Sequence, residues 1–199
     1  MTVDDIYSKI ATHMIQGMMF HEQLANYFDF LGLKGYKKCH EYHFFEESKA
    51  YRSVCRYFIN HHNKLIKTAP VDDPHTIPDS WYKYSRHSVD VNTRKNAVEN
   101  AIEIWVKWET DTKILYEQSY DELLDIKEAA SAFKIKELIE DVDRELEHAE
   151  CKYIKLKAID FDMSVIVPEQ NILYKEYCRK LKRFSDNICK FGGDSNGED

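Results

Sequence analysis

Glycine and proline fall in so few places that they dictate the layout of this 199-residue chain. It holds six glycines and four prolines. Pro70, Pro74 and Pro78 stand together, and Gly32 and Gly35 bracket a short turn. The long stretches between are rich in Glu, Lys, Leu and Ala, which favours helices. From Val3 to Asp29, residues Ile6, Ile10, His13/Met14, Gly17, His21, Leu24/Ala25 and Phe28 recur at helical spacing. Asp4 and Asp5 suit the start of that helix, where the helix dipole favours negative charge. The stretch from Leu33 to His62 carries Tyr36, Cys39, His43/Phe44, Tyr51, Val54 and Phe58 at the same spacing. A turn this short makes the first two helices antiparallel neighbours.

The segment TAPVDDPHTIPDS cannot continue a helix. With WYKYSRHSV it makes a connection of roughly twenty residues, long enough to run the length of a bundle. A third helix is predicted over Val89–Ile126, with Val98, Ala101/Ile102, Trp105, Trp108, Thr112 and Leu115/Tyr116 inward. A turn falls somewhere in DIKEAAS, without Gly or Pro to mark it. The fourth helix is predicted from Ala132 to Ile159, with Ile135, Leu138/Ile139, Val142, Leu146, Ala149 and Tyr153 inward. Pro168 suits the first turn of a fifth helix ending at Phe191. That helix carries Ile172, Leu173, Tyr177, Leu181, Phe184 and Ile188. The expected class is all-α: a four-helix bundle with one long crossover, plus an additional C-terminal helix. The expected division is residues 1–165 as the bundle, 166–191 as the fifth helix on or beside it, and 192–199 as a disordered polar tail.

Composition narrows the function. The 43% of hydrophobic residues can fill a sizeable core. A net charge of −7 with no basic cluster argues against nucleic-acid binding. No apolar run is long enough to span a bilayer, and MTVDDIYSKI lacks the charge pattern of a signal peptide. The five cysteines are odd in number, widely spread and without a CxxC pair. Neither a zinc site nor a disulfide framework is implied, and a reducing, cytoplasmic setting is the simplest expectation.

Two acidic residues sit where hydrophobes belong. Glu47 interrupts the stripe of the second helix, and Glu109 lies between Trp105 and Thr112 on the third. A carboxylate pointing into a bundle is costly unless paired, protonated or bound to a cation. Glu145 and His148 stand at the edge of the fourth stripe, three residues apart and on one side of the helix. The pattern leaves two explanations of Glu47 open: a metal ligand, or a carboxyl that is protonated or bonded to a Tyr or His on another helix. His40, His43, His61 and His62 are expected at the helix surface near the bundle end. Met14, Met18 and Met19 are expected to pack the core, as are Trp105 and Trp108.

NYFDFLGLKGYKKCHEYHFFEESKAY resembles the end of the first helix, the turn and the second helix of ferritins and bacterioferritins. AIEIWVKWETDTKIL resembles their third helix, and Glu145-Leu146-Glu147-His148 fits their second E-x-x-H. The likeness covers roughly Ile6 to Ile159 and implies the ferritin-like fold, with the long connection making the second and third helices parallel. It implies Glu47, Glu109, Glu145 and His148 as iron ligands, with Glu109 bridging if two ions bind. Three departures stand against a full di-iron centre. Ala50 replaces the histidine of the first E-x-x-H, Met14 falls at the carboxylate position of the first helix, and the turn is shorter with a fifth helix added. Glu22, His13 and His43 are the substitutes at hand. The resemblance therefore implies a ferritin-like iron-binding homo-oligomer with an incomplete site, holding a single ion or none, and weak ferroxidase activity at most. The alternative is a non-catalytic bundle that kept the fold, lost the centre and acts through assembly or a partner.

Overall fold

The computed structural model describes residues 1–71, 77, 81 and 84–191, and of residues 186–191 the helical backbone alone. The predicted tail, and the side chains of Ile188 and Cys189, lie outside the described residues, as do Pro74 and Pro78. Five helices follow one another: α1 (Val3–Phe30), α2 (Lys34–His62), α3 (Val91–Asp125), α4 (Ala129–Ala158) and α5 (Met163–Phe191). The first four form the bundle, with α1 paired to α2, α3 paired to α4, and α1 touching α3. α5 is the additional C-terminal helix, laid on α2. Among the described residues there is no strand, and no helix is long and apolar enough to cross a membrane. Cys39, Cys55, Cys151 and Cys178 are free thiols.

Local chemistry sets the helix ends. At the start of α1, Thr2 and Asp5 form a capping box that satisfies otherwise orphaned backbone N–H groups. Asp90 does the same for α3, accepting from the Thr93 N–H at 2.9 Å. Three helices end in the same Schellman turn. After α1, Gly32 N–H donates to the Asp29 carbonyl at 3.0 Å and Leu33 N–H to Phe28 at 2.8 Å. After α3 the corresponding bonds are Lys127 to Leu124 at 2.9 Å and Glu128 to Leu123 at 2.8 Å. After α4 they are Asp160 to Lys157 at 3.0 Å and Phe161 to Leu156 at 2.9 Å. The left-handed residue is glycine only in the first case; Lys127 (φ 64°) and Asp160 (φ 51°) take it elsewhere. This moves the start of α4 from the predicted Ala132 back to Ala129. α5 also begins earlier than predicted, at Met163, because the Asp162 carboxylate accepts the Ser164 N–H at 2.8 Å. Pro168 therefore lies inside the helix rather than at its start.

The described parts of the crossover meet α1 near both of its ends. Lys64 pairs with Asp4 at 2.8 Å, Ser8 donates to the Lys67 carbonyl, and the Ala69 N–H donates to Thr12 Oγ1 at 3.0 Å. Farther on, Trp81 packs edge-on against Tyr27 at 5.2 Å and against Phe30 at 6.2 Å. Arg86 then donates to the exposed carbonyls of Asp29 and Phe30 at the end of α1. The chain thus returns to the end of the bundle where α2 began, and α3 descends parallel to α2.

α5 docks by close approach. The Gly35 N–H donates to Gln170 Oε1 at 2.7 Å, and the Gln170 backbone carbonyl lies over the Gly35 Cα. Ile166, Leu173 and Tyr177 are buried beside it. A Cβ at position 35 would stand 2.0 Å from that carbonyl oxygen, so only glycine fits. Gly35→Ala is expected to destabilise the chain by about 2–3 kcal/mol in chemical denaturation, the range of core overpacking. Faster amide exchange along α5 is expected with it. Unchanged stability would show that α5 is not held at this point.

Candidate metal centre

The core is divided in two. One apolar cluster gathers around Phe28, Tyr36, Trp105 and Leu156, the other around Ile10, Met14, Val54 and Ile135. Each of the four bundle helices leaves one cluster and enters the other within a few turns. The residues at those passages are not apolar. They are Gly17 and His21 on α1, His40, His43 and Glu47 on α2, Glu109 and Thr112 on α3, and Glu145 and His148 on α4. A polar layer thus crosses the middle of the bundle, and the four metal ligands expected from sequence all belong to it.

Glu109 is fully buried, with 0% exposure. Trp105, one turn earlier on the same helix, donates its Nε1 proton to Glu109 Oε1 at 2.9 Å. His21 Nε2 approaches the same oxygen at 3.7 Å. Glu109 Oε2 has no partner. On the other side of His21, its Nδ1 lies 3.1 Å from His40 Nδ1. His40 stacks flat on Phe28 at 5.3 Å and meets the Trp105 edge at 4.8 Å. His43 stands 5.2 Å from the His21 ring and 6.0 Å from the His148 ring. The expectation that His40 and His43 lie at the helix surface is therefore wrong: their exposures are 0% and 5%. The stripe held the signal, since His40 is four residues after Tyr36 and three before His43. His61, by contrast, is exposed and His62 half-buried, as expected of the helix end.

Glu47 points across the bundle at α1. A Cβ at Gly17 would stand 3.0 Å from its carboxyl, so the missing side chain of Gly17 makes the space that Glu47 occupies. Glu145 and His148 lie farther out, half-buried, with Glu145 Oε1 3.7 Å from His43 Nδ1. α2 and α4 make little direct contact, and between them opens a cleft of about 560 Å³. Glu47, Glu145, His43 and His148 line it, together with Glu46, Glu137 and Asp141 and the lysines Lys49, Lys134 and Lys180. The polar layer thus borders a cleft between α2 and α4. The substitutes divide sharply. Glu22 is exposed and takes no part. His13 is committed to Thr112 Oγ1 at 2.7 Å and stacks on Trp108 at 4.7 Å. His43 alone joins the layer.

Burial governs the charges. It pushes the Glu47 carboxyl well above the usual carboxylate range, helped by Glu145 and Glu109 nearby. Burial, with Glu145 again, raises Glu109 to about 8, against the pull of His43 and the Trp105 hydrogen bond. His21 and His40 are driven well below the ordinary histidine value by burial and by neighbouring imidazoles. His148 is lowered to about 4 for the same reasons. Burial also opposes a charge on His43, but Cys39 and Glu145 outweigh it and hold its proton above the ordinary range. At neutral pH the layer therefore keeps its carboxylic protons at Glu47 and Glu109, and its neutral imidazoles at His21 and His40. The donors are oxygen and nitrogen, the mixture that suits a first-row divalent ion. Among the described residues, however, no group of three or more His, Cys, Asp or Glu side chains is arranged to hold a metal ion.

The chain superposes on the Archaeoglobus fulgidus ferritin in its engineered closed form with a TM-score of 0.72 at 16% identity, over 87% of this chain and 96% of that one. The open-pore ferritin of the same archaeon superposes with a TM-score of 0.71 at 17% identity, over 85% and 93%. A humanised archaeal ferritin gives 0.70 at 15%, over 87% and 98%. The fold is ferritin-like. No family model matches the sequence, and no curated protein matches it either. Within this ferritin-like fold the departures expected from sequence have physical form. Met14 is fully buried in apolar company, and Ala50 lines the cleft without a donor atom.

Glu109 gives the centre a measurable signature. Its proton stays on to about pH 8 in the folded chain, whereas a free glutamic acid loses it near 4.5. Between those values the folded chain binds the extra proton, so stability falls as pH rises from 4.5 towards 8. Glu109→Gln removes the part of that slope that Glu109 contributes and leaves the part from Glu47. In chelator-treated protein at pH 8 the variant is expected to be more stable than the parent by about 1–3 kcal/mol, the cost of a poorly satisfied buried polar group. At pH 5 the two should nearly coincide. Thermal denaturation at both pH values checks this.

Proposed function

We propose that this chain is a ferritin-like iron-binding protein whose cargo is a single divalent ion, held by Glu47, Glu109, Glu145 and His148, with His43 beside them. The observation that carries this is Glu109: a wholly buried carboxyl with one oxygen fixed by Trp105 and the other without a partner. An apolar residue would fill that position at no electrostatic cost. Gly17 adds support, because it leaves room for a second carboxyl rather than for packing. The cleft between α2 and α4 supplies access.

The roles follow from the local chemistry. Glu47 and Glu109 exchange their protons for the ion, so uptake releases acid. Trp105 keeps Glu109 in one orientation while this happens. Glu145 and His148, half-buried in the lining of the cleft, would be the first ligands an entering ion meets. Iron bound here would supply one-electron chemistry. With Ala50 and Met14 offering no donor, the set suits one ion rather than a coupled pair, and ferrous oxidation there would be slow. The open-pore and closed-form neighbours support a homo-oligomer. The second reading, a bundle that has retired its centre, is favoured by the lack of any ready-made three-donor arrangement among the described residues.

Metal titration separates them. Chelator-treated protein is expected to bind about one equivalent of Fe2+ without oxygen, and to gain thermal stability from it by mass action. Apparent affinity should rise about tenfold per pH unit for each proton displaced below pH 8, because protons and metal compete for Glu109. Glu47→Gln and Glu109→Gln should each abolish the gain. A parent protein that neither binds nor is stabilised by millimolar Fe2+ leaves the retired bundle as the reading. Light scattering on the same sample tests the homo-oligomer, and a monomer overturns it.

A further inference from the structure

α5 turns a single stripe to solvent: Val165, Pro168, Ile172, Lys175, Arg179 and Arg183 are all exposed. They recur at steps of three and four residues and so share one face of the helix. The first half of the stripe is apolar, with Val165 at 45% and Ile172 at 69% exposure. The second half is basic. Lys175, Arg179 and Arg183 stand four residues apart, the spacing at which like charges on a helix repel each other. Lys180, beside them, is paired with Glu176 at 2.8 Å, but among the described residues none of these three cations has an ion pair.

α4 shows the converse. Its exposed side runs from Phe133 to Ile154, 65% and 64% exposed, and between them Glu140, Asp143, Glu147 and Glu150 face solvent. Asp143 is paired with Lys113 at 2.6 Å, whereas among the described residues Glu140, Glu147 and Glu150 have no ion pair. The two stripes share a register. From Ile172 to Arg179 is seven residues, about 10 Å along the axis, and from Ile154 back to Glu147 is the same. Laid antiparallel with Ile172 on Ile154, α5 brings Arg179 opposite Glu147, Arg183 opposite Asp143, and Lys175 opposite Cys151, next to Glu150. The parallel alignment, with Ile172 on Phe133, sets Lys175 against Lys136 and Arg183 against Arg144. Charge therefore selects the antiparallel one. Within one chain α4 and α5 are joined through the buried Lys152, 3.3 Å from Glu169, and their outer stripes do not pair with each other.

We propose that the outer face of α5 docks antiparallel on the outer face of α4 of a second copy of this chain, with Ile172 against the partner's Ile154 and Arg179 against the partner's Glu147. The exposed apolar residues supply burial, and the charges set direction and register. The contact joins unlike faces, so every copy offers one of each, and copies add until the assembly closes as a two-fold pair or a ring. The inference rests on the homo-oligomer proposed above, whose surfaces it names, and makes no use of the iron site.

Size-exclusion chromatography with light scattering on the full-length protein tests it. One variant reverses α5, Lys175→Glu/Arg179→Glu/Arg183→Glu, and the other reverses α4, Glu140→Lys/Glu147→Lys/Glu150→Lys. The parent is expected to associate at low salt, and its association to weaken at least tenfold near about 0.5 M NaCl, where exposed charges are screened. Each variant alone should be monomeric with its helical circular dichroism retained. An equimolar mixture of the two should associate again, because each meets opposite charge only in the other. Oligomers of parental size in either variant overturn the proposal. So does a mixture that stays monomeric, which would place an acidic surface other than α4 against α5. A parent that is monomeric at every salt concentration overturns the homo-oligomer and this interface together, whereas an oligomer indifferent to both reversals overturns the interface alone. Should a variant unfold, the salt series on the parent decides, and association that salt does not weaken overturns the proposal.

Discussion

A carboxyl group that cannot reach water must be neutralised, and in this bundle that requirement organises everything around it. Glu109 has no exposure at all, and Glu47 very little. Their answer at neutral pH is to keep their protons, because burial and the nearby Glu145 make the charged form too costly. The same logic keeps His21 and His40 uncharged. The layer then holds neutral acids at Glu47 and Glu109, neutral bases at His21 and His40, and a protonated His43 that Cys39 and Glu145 favour. On the proposed reading, the two protonated carboxyls are the groups from which a cation would displace protons.

The rest of the architecture serves that layer. Two apolar clusters, above and below, give the bundle its cohesion and let the polar belt go without packing energy of its own. The crossover straps α1 from Asp4 to Asp29 and forces α3 to run parallel to α2, so that Glu47 and Glu109 enter the layer from helices of the same direction. Gly17 is the complement of Glu47: one helix gives up a side chain so that another can bring in a carboxyl. α5 packs on α2 through Gly35 and Gln170, and its Tyr177 and Lys180 line the cleft. It therefore borders the cleft as well as extending the core.

How much of this the sequence revealed depends on whether local chemistry or spatial company decides the feature. Helix faces were legible because apolar periodicity is a local property. The inward positions predicted for α1, α3 and α4 are largely those found buried. Glu47 and Glu109 were legible for the same reason, as polar letters in an apolar stripe. The end of α1 was legible because Gly32 takes the left-handed position itself; the ends of α3 and α4 were not, because Lys127 and Asp160 adopt it at a cost that tertiary packing covers. His40 was missed although it stands in register with Tyr36 and His43. A histidine fits a surface as readily as a core, and periodicity alone cannot tell a solvated imidazole from one stacked on Phe28.

The two ends of the polar layer differ. At one end the structure has apolar packing around Met14 and an open cleft beside Ala50, neither of which offers a donor atom. At the other end His21, His40 and His43 face one another inside the core. A buried polar residue costs more than an apolar one of the same size unless something satisfies it, so the polar groups gather where the two apolar clusters part and leave the clusters themselves unbroken. The fold fixes where that layer lies, and the side chains placed in it, rather than the fold, decide its chemistry.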